Sequence, residues 1–376
     1  MNINQKPDSR AILEACLADL ESRISPDAEL ELHNAWEQFA SGKHRGGIFS
    51  PRRSRTSQPG IEWPRVLVNE TLDDYNLMAV QQYANCSNML AEGTGKLMCV
   101  RANYGTGTMS SLFGAIPFKM DDASDTLPTN SPLEGGSAAI EELIRRGVPP
   151  IRGSLVEKDL EMGRRFADIA KRYPRISRWV HIYHPDLQSP LDVCELLWGG
   201  DMFTEFVERP ELAKSFLEIL TETYTVCMRE WNKVSPPAPR YSVHWSMMHL
   251  GTILLREDSA MNLSPAMFEE FVAPYDQRLL EEFGGGGVHF CGRGDHFIKL
   301  LSELRGLYTV NVEQPHLNDM EIVFRCTIDR GIPLIGLEAS SAEAALARGR
   351  DLKGLVHCWR DRETIEDGEG LRKAPA

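Results

Sequence analysis

The chain has 376 residues, 42% of them hydrophobic and 25% charged, and a formal net charge of −13. That is ordinary globular composition, long enough for a full core in one large domain or two medium ones. The acidic balance speaks against a protein that grips nucleic acid by neutralising phosphates, and no apolar run reaches the roughly 18 residues of a membrane-spanning helix.

The opening residues MNINQKPDSR lack the apolar core of a signal peptide, so a cytoplasmic protein is expected. The stretches AILEACLADLESRI and ELELHNAWEQFA carry apolar residues at helical spacing. Lys43 to Gly60, KHRGGIFSPRRSRTSQPG, is basic and rich in turn formers and is expected to be a solvated loop rather than an arm for an anionic ligand or a partner. A long amphipathic helix follows from about Leu72 to Leu90. Residues 1–92 therefore form an N-terminal helical extension with a basic loop, and residues 93–376 the catalytic domain.

From Lys96 the pattern changes to short apolar runs alternating with helical stretches, the signature of βα units around a parallel sheet. The candidate strands are KLMCV, RWVHIY, RYSVHW, TILLR, GVHF, LYTVNV, IPLIGL and GLVHC. Helices are expected over Pro210 to Trp231, over Pro265 to Phe283, and after Asp295, Asn318 and Ser341. No GxGxxG joins a strand to a helix, so a dinucleotide fold has no local support. The expected class is α/β, a (β/α)₈ TIM barrel with an N-terminal helical extension.

In such a barrel the working residues sit where strands end. Arg101, Asn103 and Tyr104 follow KLMCV; His184, Asp186 and Gln188 follow RWVHIY; Trp245 and His249 follow RYSVHW; Glu257 and Asp258 follow TILLR. The stretch GGGGVHFC delivers His289 and Cys291 two residues apart, hence on one face of a strand, as two ligands of one metal ion would be. Glu313 closes LYTVNVE, and a carboxylate there is either a further ligand or a hydrogen-bond anchor. Cys358 closes GLVHC and, taken singly, reads as core, whereas adjacent His357 must face the other way. Cys326 reads as packing, His244 and His249 as structural more than substrate-binding, and Glu338 as a supporting group or a substrate ligand. The eight cysteines (Cys16, Cys86, Cys99, Cys194, Cys227, Cys291, Cys326, Cys358) are too scattered for a disulfide framework.

Over roughly Asn69 to the C-terminus the chain resembles the uroporphyrinogen decarboxylase superfamily, and within it the corrinoid-dependent methyltransferase branch. The resemblance rests on NYGTG with SLFGA (103–115), HPDLQSPLDVCELLWG (184–199), LSPAMFEEFVAPY (263–275), VHFCG (288–292) and GLVHC (354–358). It implies a zinc site of His289, Cys291 and Cys358, with Glu313 as a less certain fourth ligand. It also implies methyl transfer between a small molecule (a methyl ether, methylamine or thiol) and a corrinoid, as in O-demethylation. Asn103, Tyr104, Gln188, Trp245 and Asp258 are the expected substrate-side residues. No DxHxxG motif for cobalamin is present, so a separate corrinoid-binding protein is the implied partner, and barrel enzymes of this size are often dimers. The decarboxylases' N-terminal arginine motif of the RQAGRY type is absent, although Arg52, Arg53 and Arg55 keep a metal-independent decarboxylase-like lyase as the alternative. A non-catalytic protein that only docks a corrinoid protein is the second rival.

Overall fold

The computed structural model describes residues 8–359. Residues 1–7, part of the segment read as lacking a signal peptide, and 360–376, the end of the expected catalytic domain, lie outside the described residues. The protein is mixed α/β, with far more helix than strand. In chain order the strands are β1 (Ile48–Phe49), β2 (Cys99–Val100), β3 (Pro117–Phe118), β4 (Thr129–Asn130), β5 (His181–Ile182) and β6 (Tyr241–His244). They continue with β7 (Met247–Leu250), β8 (Ile253–Arg256), β9 (Gly286–Phe290), β10 (Leu307–Val312) and β11 (Val356–His357).

The principal sheet is parallel. β9 lies between β8 and β10, and single parallel bridges from Val310 to Leu334 and from Leu334 to Val356 carry the order on to β11, whose other neighbour is β1. β2 and β5 form a second parallel pair, while β3–β4 and β6–β7 are antiparallel hairpins. Among the described residues these sheets do not close into a barrel.

The expected barrel strands fall short for identifiable reasons. RYSVHW does not run on as a parallel strand, because the chain reverses at Trp245 and Ser246, both with left-handed backbones (φ 46° and 66°). The turn is tied to the residues just before β2 by Leu97 N donating to Ser246 O at 3.0 Å. Of IPLIGL only Leu334 bridges to neighbouring strands. Between β5 and β8 the link is side chain to backbone, from Leu254 N to His184 Nε2 at 3.4 Å.

The N-terminal segment also departs from expectation. Lys43 to Gly60 is not simply a solvated loop, since it supplies β1 to the principal sheet. Its Arg53 is buried, with Nε 2.6 Å from Glu29 Oε1 and Nη1 donating to Thr94 O at 2.7 Å. A guanidinium out of water needs such partners, which a turn-rich composition does not reveal. The helices Ser9–Arg23 and Pro26–Ala40 form as read, and the next long helix spans Tyr75–Glu92. Pro265 to Phe283 divides into Pro265–Phe271 and Ala273–Glu282, with the break at Val272 just ahead of Pro274. No helix among the described residues is long and apolar enough to cross a membrane.

Candidate metal centre

The glycines before His289 let β9 sit between its neighbours. A Cβ on Gly286 would lie 1.9 Å from Ile253 O, and one on Gly287 2.5 Å from Leu254 Cδ1 and 2.6 Å from Thr309 Cγ2. Side chains are therefore excluded where β8 and β10 close on β9. Beyond the glycines, Val288 and Phe290 enter the core, and alternation sends His289 to the opposite face. Parallel register aligns His289 with Arg256 on β8 and Asn311 on β10, a row of polar side chains crossing three buried strands.

Asn311 orients the imidazole. Its Nδ2 donates to Ile335 O at 2.7 Å, which turns Oδ1 toward His289 Nδ1, 2.6 Å away. With the Nδ1 proton committed there, the Nε2 lone pair is presented to the other side. Nε2 lies 3.4 Å from Cys291 Sγ and 3.3 Å from Asp258 Oδ1, and donor atoms of the three residues all fall within 4.8 Å of one another. Tetrahedral zinc with bonds of about 2.0–2.3 Å spaces its ligand atoms by roughly 3.3–3.6 Å, a range that contains both distances from His289 Nε2.

The electrostatics favour a cation at the same point. Burial opposes charge on His289, yet the Asp258 carboxylate, Cys291 and Asn311 together raise its pKa to about 10. Burial would raise Asp258, but His289 and the amide of Cys291 hold it below the usual carboxylate range. A metal ion can replace the proton that these acceptors attract. The loop after Cys291 is pinned by Gly292 N donating to Gln314 Oε1 at 2.5 Å, and by Gly294 N and Asp295 N donating to Asn318 Oδ1 at 2.7 and 3.0 Å.

Behind Asp258 lies a buried acidic group. Asp192 accepts from Asp258 N and Ser259 N at 3.0 and 2.7 Å. Burial, followed by the Asp258 charge, raises Asp192 to about 7; burial likewise raises Asp276 to about 7 and pushes Glu257 well up.

The expected site residues divide into three groups. His289, Cys291 and Asp258 come together. Gln188 is buried, donating from Nε2 to Asp186 Oδ1 at 2.6 Å, and Asn103 is half-buried with its Oδ1 lacking a hydrogen-bond partner among the described residues. Glu313, Cys358 and Tyr104 lie outside the close donor group. Glu313 is exposed, its amide donating to Phe290 O, and Cys358 is buried in the main core with its amide donating to Phe49 O. Tyr104 packs in the apolar cluster of the N-terminal helices. His244 and His249 are joined Nδ1 to Nε2 at 2.7 Å, and His249 Nδ1 lies 2.8 Å from Leu250 O. Glu338 stands at the N-cap position of the helix Ala339–Ala347 without a side-chain capping bond among the described residues, and half-buried Cys326 packs against the main core.

Sequence reasoning missed Asn311 and Arg256. The available signal was a polar residue inside each of the apolar runs LYTVNV and TILLR, a costly placement unless the side chain is engaged. Trp245, expected at a strand end, sits instead in the hairpin turn and still reaches the site, its ring centroid 5.0 Å from that of His289. No protein-family model matches the chain, and no curated protein matches it.

Proposed function

We propose that this is a cytoplasmic, zinc-dependent methyltransferase of (β/α)₈ type, moving a methyl group between a small molecule and a corrinoid carried by a partner protein. The observation that supports this best is the convergence of Asp258, His289 and Cys291 where β8 and β9 end, side by side in a parallel sheet. Ligand sites in such sheets lie beyond the carboxyl ends of the strands.

In this reading His289, Cys291 and half-buried Asp258 would hold the zinc, and Asn311 keeps the His289 Nε2 lone pair directed toward that point. Cys358, at the end of a strand in the same sheet, is the proposed further ligand. Glu313, exposed beyond β10, is the carboxylate proposed to take the substrate's proton at the mouth of the site or to serve as a ligand itself. Asn103, Tyr104 and Gln188 belong to its substrate side. Bound zinc would supply either a thiolate from a thiol at neutral pH or Lewis-acid activation of a methyl ether or methylamine.

The test is spectroscopic. Zinc-loaded protein is mixed with methylcobalamin and a panel of thiols, and separately with reduced cobalamin and methyl ethers or methylamines, while the corrinoid absorbance is followed. A zinc-dependent change in one of the two directions is expected. Zinc-loaded protein that moves no methyl group in either direction would leave the docking role, and turnover of a carboxylated substrate without metal would establish the lyase.

A further inference from the structure

A second polar network adjoins the metal centre. Asp186, after β5, has Oδ1 2.8 Å from Arg256 Nε and Oδ2 3.2 Å from Arg101 Nη1. Arg256 and Arg101 are 2% and 9% exposed, so two guanidiniums have been taken out of water around a single carboxylate. Burial pushes the pKa of the neighbouring Asp159 well above the usual carboxylate range, against the pull of Arg101. Arg256 Nη1 has Leu187 O at 3.2 Å and Leu254 O at 3.4 Å, whereas Nη2 is buried without a hydrogen-bond partner among the described residues. A buried cation with an unused donor is costly unless something else supplies the counter-charge.

The network connects directly to the metal ligands. Arg256 is the register partner of His289, so both side chains leave the same face of the sheet. The Arg256 guanidinium carbon lies 5.0 Å from the centre of the Trp245 ring, whose edge in turn meets His289. Trp245 is held there in a left-handed turn with Ser246, a strained conformation for non-glycine residues. Strain of that kind persists where the surrounding structure imposes it, and here it places an aromatic wall between the guanidinium and the metal ligand.

We propose that the small-molecule substrate is an organic carboxylate, its anionic group bound by Arg256 and Arg101 and its body laid along Trp245, so that the reacting end reaches the metal centre. This rests on the reading of that centre as the reaction site. The carboxylate supplies counter-charge to the pair of guanidiniums and accepts from the unused Nη2 donor of Arg256. A neutral isostere does neither.

The test is isothermal titration with benzoate and benzamide, on protein as purified and on chelator-stripped protein, where benzoate cannot ligate an ion. Benzoate should bind at least tenfold more tightly than benzamide in both preparations. Arg256→Gln should remove that preference while leaving zinc content unchanged. Should Arg256→Gln fail to fold, the less buried Arg101→Gln serves in its place. Equal binding of benzoate and benzamide to the wild-type chain, or binding of neither, overturns the inference. Absence of zinc from the purified protein would instead count against the metal reading, and the benzoate preference of stripped protein is read independently of it.

Discussion

His289 has three strong partners, and they divide its two nitrogens cleanly. Asn311 takes Nδ1, while Asp258 and Cys291 face Nε2. Asn311 touches no proposed substrate and acts only by aiming the ring. Its replacement by Ala should therefore weaken metal binding by about 10–100-fold, the usual cost of removing a ligand's supporting hydrogen bond. Competition with a chelator of known affinity measures this, and unchanged affinity would show that the ring is held by packing alone. At this scale the sequence was informative where chemistry and spacing coincide: His-x-Cys on a strand names two donors of the close group outright. Asp258 was visible only as a polar strand end. Cys358 and Glu313 also close strands, but their positions along the sheet relative to His289 depend on register, which strand spacing does not reveal.

Among the elements, β9 is the one on which the centre depends. Gly286 lies within contact of β8's backbone on one side and pairs with Leu307 of β10 on the other. Gly286→Ala should force the strands apart, destabilise the fold by on the order of 3 kcal/mol and shift His289 out of line with Asn311. Urea unfolding measures the first effect and zinc content of the folded fraction the second; an unaltered midpoint would mean that the strands yield without cost. The glycine run before GVHF was legible as a run, but its reason was not, because close strand approach is a tertiary fact. The β6–β7 hairpin was illegible on the same ground. Turn chemistry normally announces a two-residue hairpin with Asn-Gly or Asp-Gly, and Trp-Ser at left-handed φ gives no such signal.

For the molecule as a whole, the parallel βα pattern was legible from alternating apolar runs and helices, whereas closure was not, since several runs contribute only one or two residues to a sheet. The buried acids are the other whole-molecule feature. Asp192 and Asp276 titrate near pH 7 in the folded chain, against about 4 when unfolded. Over that interval the folded state holds more protons, so the stability these groups contribute is fully present below about pH 4 and is lost as pH rises through about 7. Buried neutral histidines such as His184, whose pKa is pulled down to about 3, act in the opposite sense on acidification. They cancel when wild type is compared with a variant that keeps them. Asp276→Asn should accordingly gain stability relative to wild type by on the order of 1 kcal/mol per pH unit between about pH 4 and about pH 7. Denaturant midpoints across that range decide it, and a constant difference would show that Asp276 does not titrate there.

The central claim is that Asp258, His289 and Cys291 hold one metal ion, and the most direct test is the metal content of purified protein by elemental mass spectrometry. Wild type is measured beside folded Asp258→Asn, Cys291→Ser and Cys358→Ser variants. About one zinc per chain is expected in wild type, with pronounced loss in Asp258→Asn and Cys291→Ser, and loss in Cys358→Ser as well if that thiol completes the set. Wild-type protein that takes up no zinc when it is supplied, or variants that bind it as tightly as wild type, would contradict the account.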